Sequence, residues 1–186
     1  MENADQLVNE STYDLIVVGG GAAGFFGAIS CAKQAPGSRI LILDKSSKVL
    51  GKVKISGGGR CNVTHGCFDP RELVTFYPRG SKQLIGPFNR WAPADTMDWF
   101  EERGVPLKIE DDNRVFPVSD QSQSVIDCLM RTAKELGIEV RTGAELKSVE
   151  KREANFQLEL ARGEKLLARN FLLTTGGTRN AIGERV

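Results

Sequence analysis

The sequence predicts an α/β domain on a doubly wound, dinucleotide-binding type of parallel sheet, with a small antiparallel β-meander beside it. Three observations predict it. An apolar, β-branched run at 13–18 leads into a glycine turn and an alanine-rich segment, and a second apolar run ends on an acid, Asp44. Glycine supplies 20 of 186 residues, above the usual ~7%, and is bunched at 19–21, 24 and 27, at 57–59 and at 176–177. Bunched glycine without a repeat period marks tight turns or backbone pressed against a ligand. Finally, three alternating or apolar segments follow residue 143, and the last runs into Thr174-Thr175-Gly176-Gly177.

The elements follow in order. Residues 1–12 are polar and acidic and read as a disordered tail. Tyr13-Asp14-Leu15-Ile16-Val17-Val18 suits a strand buried on both faces. Ala22 to about Ala35 reads as a helix closed by Pro36-Gly37. Arg39-Ile40-Leu41-Ile42-Leu43-Asp44 is a second buried strand, so 13–44 is one βαβ unit. Residues 45–70 read as irregular, basic and glycine-rich, a length of loop that is uncommon unless it binds something. A helical insertion occupies about 71–136. Short helices and loops fill 71–92, Pro93-Ala94-Asp95 starts a helix that stops at Gly104, and Asn113 to Pro117 is a short strand or turn. Ser119-Asp120 caps a helix over about 121–136, whose stripe of Val125, Ile126, Leu129, Met130, Ala133 and Leu136 is read as its buried face. A strand at 138–140 and the segments 144–149, 156–160 and 165–173 form the meander region, about 138–173. Residues 178–186 show no pattern and read as an irregular tail. The domain proper is therefore 13–177.

Composition excludes several classes. The formal charge is +1, so the chain lacks the electrostatic footprint of a nucleic-acid binder and a polybasic membrane patch. The N-terminus lacks the basic and apolar regions of a signal peptide. Leu15 to Ala32 is an uncharged run of spanning length, but five glycines interrupt it and it divides into a strand half and a helix half. Four cysteines, Cys31, Cys61, Cys67 and Cys128, read as free thiols of a cytoplasmic protein. The single histidine, His65, reads as an ordinary loop residue, and Glu110-Asp111-Asp112 as a solvated loop. No metal-ligand spacing is present.

Three blocks carry chemistry. The first is Gly19-Gly20-Gly21-Ala22-Ala23-Gly24, a G-x-G-x-x-G between a strand and a helix, which makes the domain Rossmann-like. Gly19 permits the tight turn, Gly21 lets backbone approach a pyrophosphate, and Gly24 lets helix and strand pack closely. The helix N-terminus presents unpaired N–H groups and a partial positive charge. Asp44 is placed to accept hydrogen bonds from ribose hydroxyls. The second block is Lys52-Val53-Lys54-Ile55-Ser56-Gly57-Gly58-Gly59-Arg60-Cys61-Asn62. A plain NAD dehydrogenase has no need of a second glycine turn here, whereas an extended FAD passes close to the loop after the second strand. The third block is Thr174 to Gly177, where the chain returns to its first sheet.

Together these blocks, with Met97-Asp98-Trp99-Phe100 before Gly104 and Arg114-Val115-Phe116-Pro117, resemble the bacterial NAD(P)/FAD-dependent oxidoreductase family with the string K-x-x-I-S-G-G-G-R-C-N. Its members are described as aminoacetone-oxidase-like proteins or bile-acid enone reductases. The resemblance spans 13–177 and implies a two-dinucleotide-binding-domain flavoprotein: noncovalent FAD, reduction by NAD(P)H, and hydride delivery from flavin N5 to an electron-poor double bond of a small molecule or another acceptor. It places Gly19, Gly21, Ala22, Ala23 and Gly24 on the phosphate turn. Asp44 and Lys45 fall at the adenosine. Ser56, Gly57, Gly58, Gly59, Arg60, Cys61 and Asn62 fall on the flavin-side loop, Leu146 meets the adenine through its backbone, and Thr175 and Gly176 lie on the return strand. It names no catalytic acid or base; Arg60 and Asn62 are the expected tuners of the flavin. Members of the family continue well beyond this length, so the chain reads as truncated, with the second half of the enzyme absent. Two alternatives stand beside this reading. One is an inactive remnant or a nucleotide-binding module that needs a partner chain. The other is a flavin disulfide reductase using Cys61 and Cys67, whose five intervening residues fit that chemistry poorly.

Overall fold

Strands that carry apolar side chains on both faces need cover on both faces, and the chain supplies it from two sources. The computed structural model describes residues 12–177. In chain order the elements begin with β1 (Thr12–Val18), α1 (Ala22–Gln34), β2 (Ile40–Leu43), α2 (Gly51–Ile55), β3 (Thr64–His65) and α3 (Pro70–Leu73). They continue with α4 (Ser81–Phe88), α5 (Pro93–Glu101), β4 (Leu107–Ile109), β5 (Arg114–Pro117) and α6 (Ser122–Glu135). The last four are β6 (Glu139–Arg141), β7 (Leu146–Lys151), β8 (Phe156–Leu160) and β9 (Lys165–Leu173). The contacts divide the chain into two units, one running to Gly51 and resuming at Leu129, the other spanning Lys52–Cys128.

The first unit holds a six-stranded sheet in the order β6-β2-β1-β9-β8-β7. β6, β2, β1 and the end of β9 run parallel, with Val18 beside Leu43 on one side and Leu173 on the other. β9 is long enough to serve twice. Its first half pairs antiparallel with β8 and its second half joins β1, so the meander grows out of the parallel sheet. Phe25, Ala28, Ile29 and Ala32 form the buried face of α1. Ile16, Val18, Leu41 and Leu43 pack in one cluster with Leu158, Leu160, Leu166 and Ala168 of the meander. Burial of each such Leu, Ile or Val stabilises by roughly 1.5–3 kcal/mol.

The second unit carries the three-stranded antiparallel sheet β3-β5-β4 together with α3, α4 and α5. The inserted segment is thus not wholly helical. Trp99 and Phe100 are buried and meet edge to face at 4.8 Å, in the packing role their helix implies.

Several expectations need correction. The stretch 45–70 is not irregular throughout: α2, a 3-10 turn over Ser56–Gly59 and β3 occupy parts of it. Glycine-rich windows carry weak helical propensity, which hid these elements. β4 was not expected, being only three residues long. The buried face of α6 is also rotated from the apolar stripe. Ser122, Val125, Cys128, Leu129, Thr132 and Ala133 are buried, while Met130 is 38% exposed. Ser122 earns its place by donating from Oγ to the Lys54 carbonyl at 2.9 Å, which satisfies a buried hydroxyl. Thr12 belongs to β1 rather than to a tail, and the expected tails at 1–11 and 178–186 lie outside the described residues. Among those residues, no helix is long and apolar enough to cross a membrane.

Candidate dinucleotide site

The glycine turn sits at the carboxyl ends of β1 and β2, where open α/β sheets bind ligands. Its peptide groups are held one by one. Gly19 N–H donates to Leu43 C=O at 2.7 Å. The hydroxyl of Thr174, at the end of β9, donates to Gly19 C=O at 2.9 Å and approaches Val18 C=O at 3.1 Å. Gly20 N–H donates to Asp44 Oδ2 at 2.7 Å. Gly20 C=O accepts from Leu50 N–H at 2.7 Å, and Gly21 C=O accepts the first helical bond, from Phe25 N–H at 3.0 Å.

The consequence follows from peptide geometry. In a trans peptide the C=O and the following N–H point in opposite directions. With the Gly20 and Gly21 carbonyls drawn inward, the N–H groups of Gly21 and Ala22 face outward. No described residue offers an acceptor to the N–H of Gly21, Ala22 or Ala23. Gly21 is the N-cap of α1 with no side-chain cap, and no acid lies in the first turn. A Cβ built on Gly21 would meet no described residue within 4 Å. The arrangement is an open, uncapped helix N-terminus preceded by pinned carbonyls, which suits an anion.

Gly19 and Gly24 are required for a different reason. Gly19 has φ +114°, and a Cβ there would lie 2.4 Å from Thr174 O. A Cβ on Gly24 would lie 2.0 Å from Gly19 O and 3.0 Å from Thr174 Oγ1. Thr174 therefore touches two of the motif's glycines, a role that its place in the third block did not assign it. Thr175 and Gly176, the residues expected on the return strand, follow it directly. Both are exposed, and the Thr175 amide nitrogen lies 3.0 Å from the position of a Gly19 Cβ.

Asp44 is not simply a free ribose acceptor. Oδ2 accepts from Gly20 N–H and Oδ1 from Ser46 N–H, both at 2.7 Å. Each carboxylate oxygen keeps a further lone pair, so the side chain can hold the turn and still face a hydroxyl. Lys45 is exposed and lines a cleft of about 490 Å³ together with Arg141, Gly143, Glu145, Arg162 and Glu164. Arg141 is clasped by Glu139 at 2.9 Å and Glu164 at 2.7 Å. Leu146 opposes Leu160, and at that point Ala161 N–H donates to Glu145 C=O. Leu146 therefore belongs to a non-hydrogen-bonded pair, and its own N–H and C=O face the open edge of β7.

A match to the family described as HI0933-like protein Rossmann domain runs over residues 13–182. The chain belongs to this family. Over 165 residues it is 31% identical to the ribosomal RNA dihydrouridine synthase of Escherichia coli strain K12, covering 89% of this chain and 40% of that protein. Over 161 residues it is 25% identical to the 3-dehydro-bile acid delta(4,6)-reductase of Clostridium scindens, covering 87% and 38%. The chain thus spans about two fifths of the length of the curated relatives it matches. Among solved structures, the 3-ketosteroid-delta4-(5alpha)-dehydrogenase of Rhodococcus jostii RHA1 superposes with a TM-score of 0.66 at 17% identity, over 90% of this chain and 46% of that one. A flavocytochrome c3 fumarate reductase gives 0.63 at 22% identity, over 94% and 35%. At these identities the likeness shows the fold, a Rossmann-like domain with a parallel sheet.

The second unit of this family member holds the Ser56–Asn62 loop. Gly57, Gly58 and Gly59 all have positive φ, at 55°, 69° and 89°, and so does Cys61 at 66°. A Cβ on Gly57 would meet Phe116 at 2.7 Å, whereas Gly58 and Gly59 border open space. The triple glycine is therefore demanded first by the backbone. Arg60 lies over the Phe116 ring at 3.9 Å and pairs with Glu110 at 2.6 Å and Asp120 at 3.4 Å. Glu110 is thus not part of a merely solvated loop; it anchors this arginine, while Asp112 pairs with Arg114 at 2.6 Å. Asn62 Oδ1 accepts from Val115 N–H at 3.3 Å, and Ser56 Oγ donates to Val53 C=O at 3.0 Å. His65 Nδ1 accepts from Cys67 N–H at 3.1 Å, and its ring meets Phe76 at 4.6 Å.

Cys61 and Cys67 are both free and buried. Burial pushes both thiols up. Ser56 opposes the shift at Cys61, and the Glu72 charge adds to it at Cys67. A raised thiol holds less nucleophilic thiolate at any pH below its pKa. Modification of Cys61 and Cys67 by a disulfide reagent at pH 8 is expected to run on the order of tenfold or more slower in the folded chain than in denaturant. Equal rates, followed by mass spectrometry of the two peptides, would restore the dithiol alternative.

Proposed function

We propose that this chain is the FAD-binding part of an oxidoreductase that reduces a carbon–carbon double bond conjugated to a carbonyl. The observation that carries the cofactor is the turn at Gly19–Gly24, with its carbonyls pinned inward and the Gly21, Ala22 and Ala23 amides without an acceptor among the described residues. These amides bind the pyrophosphate. Asp44 orients the ribose while it holds Gly20, Lys45 flanks the adenosine, and the outward backbone of Leu146 reads the adenine edge. The Ser56–Asn62 loop and the Thr175-Gly176 return strand are assigned to the flavin side by the family motif. Arg60, fixed by Phe116, Glu110 and Asp120, supplies a held positive charge there. Bound FAD supplies a two-electron carrier that accepts hydride from NAD(P)H and passes it to the acceptor.

The acceptor class rests on the two curated relatives. Dihydrouridine is uridine with its C5–C6 double bond, conjugated to a ring carbonyl, saturated; a delta(4,6)-reductase of a 3-dehydro bile acid saturates bonds conjugated to the 3-ketone. Both reductions add a hydride and a proton across an electron-poor alkene.

The test is a visible spectrum of the purified chain. Flavin bands that are released on denaturation, one FAD per chain, are expected. A colourless chain that takes up no added FAD would overturn the cofactor assignment. With a full-length protein carrying this domain, NAD(P)H oxidation driven by a uridine-containing RNA or by a 3-oxo-Δ4 steroid separates the two acceptors. Oxidation with neither would remove the acceptor class.

A further inference from the structure

The peptide group between Gly19 and Gly20 is held at both ends by side chains from two different strands. Its carbonyl accepts from Thr174 Oγ1 at 2.9 Å and its N–H donates to Asp44 Oδ2 at 2.7 Å. Thr174 stands at the end of β9 and Asp44 follows β2, so the turn after β1 is gripped from both neighbouring strands. The Thr174 backbone is fixed independently, since its N–H donates to Val18 C=O at 2.8 Å. Its hydroxyl has one proton, divided between Gly19 C=O at 2.9 Å and Val18 C=O at 3.1 Å. Asp44 cannot supply this contact, because a carboxylate only accepts. Glycine on both sides of the peptide removes the Cβ contacts that would otherwise restrict its plane.

We propose that Thr174 is a positioning residue of the cofactor site: its hydroxyl and the Asp44 carboxylate form a two-sided clamp on the Gly19–Gly20 peptide that sets the outward direction of the anion-binding amides. The inference rests on the cofactor reading above and adds a residue to it. Thr174 itself touches no ligand in this account. Its effect passes through the peptide plane to Gly21 and the helix N-terminus. A preformed set of donors binds better than one that must be ordered on binding.

The test compares Thr174→Val, which keeps the shape and removes the donor, with Thr174→Ser, which keeps the donor. FAD titration of the chain, read by flavin fluorescence, is expected to show affinity about tenfold lower for Thr174→Val and within about threefold of wild type for Thr174→Ser. Amide hydrogen exchange read by NMR supplies a measurement that needs no ligand. The Gly20 amide is expected to exchange about tenfold faster in Thr174→Val, beyond any change common to the core amides, and to recover in Thr174→Ser. Wild-type behaviour of Thr174→Val in both measurements overturns the clamp, as does equal loss in both variants. If the wild-type chain binds no FAD, the cofactor reading falls, and Gly20 exchange alone decides the clamp.

Discussion

Gly24→Ala is expected to cost the chain both stability and cofactor, although it adds a single methyl group. That methyl would sit 2.0 Å from the carbonyl oxygen of Gly19 and 3.0 Å from Thr174 Oγ1. The first contact is with backbone, and this backbone is fixed by Thr174 and Leu43. Relief requires α1 to move off the strand ends by about an ångström or the turn to break. Overpacking of this kind costs roughly 1–3 kcal/mol. The same movement carries the Ala22 and Ala23 amides away from the pyrophosphate. The loss of two charge-assisted hydrogen bonds lowers FAD affinity on the order of a hundredfold or more. Gly21→Ala is the matched control. Its Cβ meets no described residue, and its φ of −88° suits any residue, so thermal unfolding of the ligand-free chain should be unchanged while FAD binding weakens. Retained FAD affinity in both variants would show that the turn is not where the cofactor lies; equal destabilisation by both would show that Gly21, like Gly24, packs against the chain itself.

This pair shows what the sequence carried and what it did not. The motif gives its three glycines separate roles by spacing alone, without naming what each one meets. The structure divides them by what lies opposite. Gly19 and Gly24 face the chain itself, while Gly21 faces open space. Motif reading placed Thr174 in the returning block but could not give it this role, because its partner, Gly19, lies 155 residues away in the chain. The parallel core was legible because runs such as Ile40–Leu43, buried throughout, leave no other arrangement. The strand at 138–140, expected with the meander, pairs parallel with β2 at the other edge of the sheet, whereas the three meander strands were legible from period-two alternation. The loop at 45–70 was not. Its α2 helix and 3-10 turn depend on three glycines in left-handed conformations and on Phe116 filling the space beside Gly57, contacts that no local pattern encodes. The face of α6 was misjudged for a related reason. A buried serine reads as solvent-facing until its acceptor, the Lys54 carbonyl, is known.

Asp44→Ala is expected to have the second large effect, and its size separates two roles for one side chain. The carboxylate accepts from Gly20 N–H and Ser46 N–H. Removal leaves both donors without it. Ser46 is exposed, and water replaces that bond at little cost. The Gly20 bond is partly buried, and an orphaned donor there costs about 1–3 kcal/mol. A purely structural Asp44 would therefore lower the unfolding free energy by this amount and reduce FAD affinity only about tenfold, as loss of the clamp on the other side does. If Asp44 also holds the ribose, the affinity loss is on the order of a hundredfold, since a charge-assisted bond to the ligand goes with it. Asp44→Asn sharpens the comparison. Its amide oxygen can keep Gly20 N–H, but its NH₂ then faces the Ser46 N–H, donor to donor. Stability should fall less than in Asp44→Ala, while the ribose contact loses its charge. Affinity for ADP, which has the ribose and pyrophosphate but no flavin, should drop in parallel with that for FAD in both variants. A normal ADP affinity in Asp44→Ala would remove the ribose role and leave Asp44 as one half of the grip on the Gly19–Gly20 peptide.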